Sequence, residues 1–470
     1  MKERYSKRKI RLSRSGEDII SKLPDDILHH ILSFLPTSSA VSTSALSTRW
    51  RDLWTSVPVL EFCGQSRFYS NFYNIFQMPK DFEEFVDRVM HFNDTGNIKK
   101  FSFSSWDCYA FPFDTWIAMA VRRNVQELIL TLTRGGPPPS PLILPSCFFS
   151  SESLTTLKIW ANNKIEIPST ISFPSLNTLH FGDITFILRG TTEQVTFMCP
   201  VLTECVFYRI TWKEFNSIKI ISPQLKSLSI DDSILNGLYY LGEGVIEVSA
   251  ESLTSLELIT PNPDQYSLQN LSSLIDAKIE LVELKETKHY VNLLRGLSTV
   301  KDLTLGFGSI EIFSHPDLLA YLHATSSLKR LTIGYLWSFR LPKDPARKRL
   351  IDILSCTPKI EFLSFPQGSF SYPFGQLGWI HGSKPVCFLP CLKVIEIRMT
   401  EWRTNELRLL DFFLKNVEVL ERISVEGPIC DWNRRKMSEK LGKLQLPRGS
   451  KCVIECIRSI SKLACTKFLL

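Results

Sequence analysis

The stretch SPQLKSLSIDD, residues 222–232, sets an apolar residue at Leu225, a second three positions on at Leu228 and a third two further at Ile230. Leu228 and Ile230, two apart, fall on one face of a short strand and pack inward, while Leu225 anchors the turn before it. A single strand of this kind buries too little to stand alone. The same spacing returns at Val125-Leu128-Leu130, Leu154-Leu157-Ile159, Leu176-Leu179-Phe181, Leu202-Cys205-Phe207, Leu253-Leu256-Leu258 and Leu274-Ala277-Ile279. It goes on at Val300-Leu303-Leu305, Leu328-Leu331-Ile333, Ile360-Leu363-Phe365, Leu392-Ile395-Ile397 and Leu420-Ile423-Val425. Stacked in parallel, such strands bury one continuous core, so the spacing predicts a solenoid whose terminal units need covers.

The mean spacing, about 27 residues, lies in the range of leucine-rich repeats. Individual gaps run from 21 to 32 residues, which makes the solenoid irregular. Earlier matches at Val57-Leu60-Phe62 and Ile98-Phe101-Phe103 start it directly after the N-terminal segment. Counting from each first apolar residue, positions +2, +4 and +6 alternate with the buried ones and point outward. Aromatic and arginine side chains most often dominate binding energy, so Trp160, Tyr208, Arg330 and Arg398 are the candidates for contact with a target protein. The insertion from Phe365 to Phe388, with Phe370, Tyr372, Phe374 and Trp379 among glycines and prolines, is a second candidate surface.

The N-terminal stretch Asp18–Trp54 reads as three short helices. Pro24 suits a first turn, and Ile27, Leu28, Ile31, Leu32 and Leu35 recur at helical spacing until Pro36 stops the run. Thr37 or Ser38 is placed to cap a second helix with Val41, Ala45 and Leu46, and Ser47 or Thr48 a third with Trp50, Leu53 and Trp54. Three helices of about ten residues are too few to close a core, so this segment is expected to need a partner surface.

Leu23-Pro24, the run Ile31-Leu32-Ser33-Phe34-Leu35-Pro36 and LSTRWRDLW, residues 46–54, resemble an F-box of the plant type. Ser38, Ser39 and Ser42 stand where charged residues are frequent in that family, and Thr48 replaces a common lysine. The resemblance implies docking on a SKP-type adaptor, and through it on cullin and RING subunits, as the substrate receptor of a ubiquitin ligase. It also implies that Leu23, Pro24, Ile27, Leu28, Ile31, Leu32 and Leu35 supply the adaptor contact, with Trp50 and Trp54 buttressing the turn toward the next domain.

Near the C-terminus Leu389-Pro390-Cys391-Leu392-Lys393 opens a strand. Thr404 is placed to cap a helix in which Leu407, Leu410, Leu414 and Val417 share a face. With FFLKNVEVLERISVEG at 412–427 and LPRGSKC at 446–452, this part is similar to the FBD module of plant F-box proteins. The expected fold is therefore α/β. A basic tail (1–17) precedes a three-helix F-box (18–62), an irregular leucine-rich-repeat solenoid (63–384), an FBD cap (385–458) and a C-terminal tail (459–470).

Composition narrows the remaining classes. Of a formal charge of +7, the first fifteen residues carry +6, so the body is nearly neutral and nucleic-acid binding is not expected. No window of 18 residues is apolar enough to span a bilayer and no secretory leader is evident, so an intracellular protein is expected. The run Lys7-Arg8-Lys9-Ile10-Arg11 leans that expectation toward the nucleus over the cytoplasm. The twelve cysteines are then free thiols. The three-residue gaps of Cys387/Cys391 and Cys452/Cys456, with His381 nearby, do not match zinc-knuckle spacing. No catalytic constellation or cofactor motif is apparent, and Asp231-Asp232 reads as a turn after a strand. The alternatives to a ligase receptor are a non-ligase repeat scaffold or a small-molecule co-receptor.

Overall fold

The computed structural model describes residues 20–63, 80–105, 111–132, 141–212, 215–232, 245–260, 266–281, 293–313, 315–323, 327–334, 346–366, 389–398, 404–427, 452–458 and 465–468. Within them, a ladder of parallel strands runs from Val59–Cys63 through Lys100–Ser105, Glu127–Leu132, Thr156–Ile167 and Thr178–Leu188 and on to Val453–Arg458. The register stacks equivalent repeat positions. Leu60, Phe101, Leu128, Leu157 and Leu179 form one row, and Phe62, Phe103, Leu130, Ile159 and Phe181 the next. Every apolar residue named in the twelve sequence copies is buried. Full burial of such a side chain contributes about 1.5–3 kcal/mol, which is why the spacing fixes the stack.

The return legs differ along the solenoid. Near the start they carry the helices Lys80–Phe92 and Phe113–Arg122; near the end, Phe307–Phe313, Pro316–His323, Ala346–Cys356 and Thr404–Asn416. In the middle they form a second, five-stranded parallel sheet of Thr170–Ser172, Gln194–Met198, Ser217–Ile221, Val245–Ser249 and Tyr266–Gln269. Val195, Phe197, Ile218, Ile220, Ile246 and Val248 alternate inward from this convex sheet, so the central repeats are a two-sheet sandwich.

The N-terminal segment departs from three helices. One helix spans Asp25–Leu32 and a short one Thr37–Ser42, but Thr43–Ala45 and Leu53–Ser56 are 3-10 turns. Hydroxyl side chains bonded to nearby carbonyls explain this: Ser42 Oγ to Ser38 O at 2.7 Å, Thr43 Oγ1 to Ala40 O at 2.6 Å and Thr55 Oγ1 to Asp52 O at 2.7 Å. Such bonds compete with continued helix. Pro36, not Thr37, stands at the cap of the second helix. The Thr37 hydroxyl instead accepts the backbone N–H of Glu61 at 2.7 Å and covers the open edge of the first strand. Further bonds close the joint: Asn93 Nδ2 donates to Val57 O at 3.0 Å, the Asp94 N–H to Thr55 O at 2.9 Å, and Arg123 Nη1 to Asn93 O at 2.8 Å.

At the other end a helix forms over Thr404–Asn416, with Thr404 as its first residue and Leu410, Leu414 and Val417 buried. The strands Val394–Arg398, Arg422–Gly427 and Val453–Arg458 continue the ladder without a break, so this unit is the last part of the solenoid. The expected C-terminal tail is corrected: Cys465–Phe468 adds an antiparallel strand on Val453–Arg458. The aromatic residues 370–379, Cys387 and His381 lie outside the described residues.

Candidate functional site

Two surfaces can engage other molecules. The first is on the N-terminal segment. Leu28, Leu32, Ala40, Trp50, Leu53 and Val57 close a small core of their own, with Leu23, Leu35 and Trp54 partly buried against it. Trp54 also packs against the solenoid core, bridging the two clusters. Successive helical residues point about 100° apart, so Ile27 and Ile31 turn away from that core and stand 46% and 40% exposed. Pro24 is exposed beside them.

The expected single stripe is thereby split. Leu28 and Leu32, expected in the adaptor contact, and Trp50, expected as a buttress, build the inside of the module and stand only 0%, 1% and 7% exposed. Three residues outside the expected set are exposed on the module as well: Ile20, Phe34 and Leu46, Phe34 with its ring against His30 at 4.8 Å between centroids. Phe34 follows the end of the helix, and its place beside Pro36 in a serine-rich run was the available signal. Arg49 Nη2 holds the entry to the helix through Asp25 Oδ1 at 2.8 Å and the Leu23 carbonyl.

The second surface is the concave sheet face. Trp160 and Tyr208, 48 positions apart, come together because both occupy the +6 position of their repeats, with Gly182 in register between them. Their centroids are 5.3 Å apart and the rings are inclined at 44°. The Trp160 ring lies across Gly182 so closely that a Cβ there would stand 2.1 Å from Cε3. Arg209 sits over the Tyr208 ring at 4.6 Å and is ion-paired to Asp183. Asn162, Asp183 and Arg209, at the same rim in successive repeats, all have positive φ, of 33°, 57° and 49°. Partial burial works against the Arg209 charge, but Asp183 overcomes it and holds the guanidinium above its ordinary pKa. Burial likewise raises the Tyr208 phenol.

Beside this shelf His180 Nε2 lies 3.1 Å from Glu204 Oε1, and burial, then Lys158, lower the imidazole pKa. Arg330 and Arg398 do not join the shelf. Arg330 is seven strands from Trp160, roughly 34 Å at 4.8 Å per strand. It is stacked 3.9 Å over Phe362 and paired with Asp302 at 3.0 Å. Arg398 is exposed two strands further on, in register with Glu426. Behind the face Asp232 is buried and receives the Tyr266 hydroxyl; burial pushes its carboxyl up to about 7. Among the described residues no group of three or more histidine, cysteine or acidic side chains is arranged to hold a metal, and no helix is long and apolar enough to cross a membrane.

Three family models match the chain: the F-box domain at residues 20–62, the leucine-rich repeats of an FBD-associated F-box protein at 113–271, and FBD at 381–425. Similar proteins in Arabidopsis thaliana include the FBD-associated F-box protein At4g10400, 27% identical over 93% of this chain and 98% of its own length. The F-box/FBD/LRR-repeat protein At1g13780 is 25% identical over 94% and 98%. The F-box protein At4g09920 is 30% identical over 64% of this chain and 90% of its own length. An N-terminal module with its apolar outer face, a repeat ladder and a terminal unit that completes it thus occur here in the order of those relatives, and the chain belongs to the plant F-box/FBD/LRR-repeat family.

Proposed function

We propose that this chain is the substrate-recognition subunit of an SCF-type cullin-RING ubiquitin ligase. Its F-box docks on a SKP-type adaptor and the concave face of its repeats binds a protein target. One observation carries the reading: Ile27 and Ile31 are exposed on one face of the first helix, and Ile20, Phe34 and Leu46 are exposed on the same small module, whose own core is already closed. Five exposed large apolar side chains on so small a module support an interaction surface there. The chain itself performs no bond chemistry in this reading. It holds a target beside a charged enzyme and makes their encounter effectively intramolecular, which is where the acceleration arises.

Purified SKP-type adaptor is expected to form a stable complex with the full chain. Ile31→Asp combined with Phe34→Asp, which leaves Leu28 and Leu32 in place, is expected to abolish it with the thermal melt unchanged. Retention of the complex by that variant would defeat the adaptor assignment. A non-ligase scaffold is separated by its behaviour in native complexes: adaptor recovered without cullin favours the scaffold.

A further inference from the structure

The concave face is not uniform in charge. On the five consecutive strands from Glu204–Tyr208 to Asp302–Gly306, the part-exposed outward positions carry Glu204, Asp231, Glu257, Asp276 and Asp302 against Lys278. The body outside the basic N-terminus is nearly neutral, so this excess is local. It begins on the strand that holds Tyr208 and is continuous with the Trp160 shelf.

We propose, on the reading of the concave face as the target surface, that this stretch receives an extended arginine- or lysine-rich segment of a target protein. A basic side chain lies on Trp160, and the following ones reach Glu204, Glu257, Asp276 and Asp302. Charge complementarity selects this occupant, since an acidic segment meets five carboxylates. The surface already sustains guanidinium–ring contacts, Arg209 on Tyr208 at 4.6 Å and Arg330 on Phe362 at 3.9 Å. The carboxylates now have neighbours of their own, Lys278 at 3.7 Å from Glu257 and Arg330 at 3.0 Å from Asp302. Part-exposed pairs contribute only about 0–1 kcal/mol, so an incoming cation exchanges with them at small cost. Trp160 is six strands from Asp302, roughly 29 Å, which an extended peptide of about nine residues spans.

The test uses the full chain and two fluorescein-labelled peptides of about that length, one alternating arginine and serine, the other glutamate and serine, with binding read by anisotropy. The arginine peptide is expected to bind, more weakly as salt rises, and the glutamate peptide not to bind. Trp160→Ala is expected to weaken binding on the order of tenfold. Asp276→Asn with Asp302→Asn is expected to weaken it comparably and flatten the salt dependence, while Glu247→Gln with Glu251→Gln on the convex side leaves it unchanged. Trp160→Phe, which keeps a ring, covers the case in which Trp160→Ala melts early. Equal binding of the glutamate peptide, indifference to the Asp276 and Asp302 changes, or equal loss from the convex changes each overturns the proposal. Adaptor pull-down run in parallel separates the two readings: adaptor capture without peptide binding sinks this inference alone, and peptide binding without adaptor capture sinks the ligase assignment alone.

Discussion

The outer face of the F-box and the concave shelf are both exposed, yet they are built in opposite ways. Ile27, Ile31 and Phe34 are held by the backbone beneath them and contact little of their own chain, whereas Trp160, Tyr208, Arg209 and Asp183 fix one another through ring contacts and an ion pair. An apolar face of the first kind gains by being covered and suits a constant subunit. A polar, preorganised surface of the second kind costs little when uncovered and can discriminate between partners.

The sharpest way to break this comparison is to exchange the two sides of the first helix. Leu32→Asp buries a charge in the F-box core and is expected to cost roughly 3–5 kcal/mol, read as an early melt of the module. Ile31→Asp is expected to leave stability within about 0.5 kcal/mol while losing the adaptor.

The next effect arises behind the concave face. Asp232 titrates near 7 folded and near 3.8 unfolded. The folded state therefore keeps a proton that the unfolded state releases between those values, so the contribution of Asp232 to stability is greatest below pH 4 and falls as pH rises toward 7. At about 1.4 kcal/mol per unit the decline amounts to a few kcal/mol. Asp232→Asn is expected to flatten it in denaturant titrations at several pH values.

Gly182→Ala is expected to cost about 1–3 kcal/mol by overpacking and to change Trp160 fluorescence, because the ring must lift from the strand. A normal emission spectrum would show that the shelf is not held by Gly182. The smallest effect is expected from Thr37→Val, which leaves the Glu61 N–H without its acceptor and costs about 1 kcal/mol in a melt of the full chain.

The repeat ladder was legible because its signal is redundant: three apolar positions per copy obey a period that only a stacked strand satisfies. The convex sheet was missed although Val195/Phe197 and Ile218/Ile220 alternate in the sequence, since each copy is five residues long and sits at a variable distance from the next leucine. Periodicity also placed Ile27, Leu28, Ile31 and Leu32 on one broad stripe. It carries no mark of which half closes a core, which depends on Trp50 and Leu53 folding back. The Trp160–Tyr208 pair follows from repeat position once the copies are aligned, but Asp183, inside the strand Thr178–Leu188, and Arg209, just past Glu204–Tyr208, take left-handed backbone that changes the chain's direction. That turn had no reading from residue type alone.

One contact at the joint bears on how such a chain can be dissected. Because Thr37 accepts the Glu61 amide on the open edge of the first strand and the F-box core covers its flank, deleting the F-box would bare a β-edge on a long parallel stack. Bare edges template self-association. A truncated chain would therefore report its own clumping, and the proposed ligase coupling is better tested with single outward-facing changes.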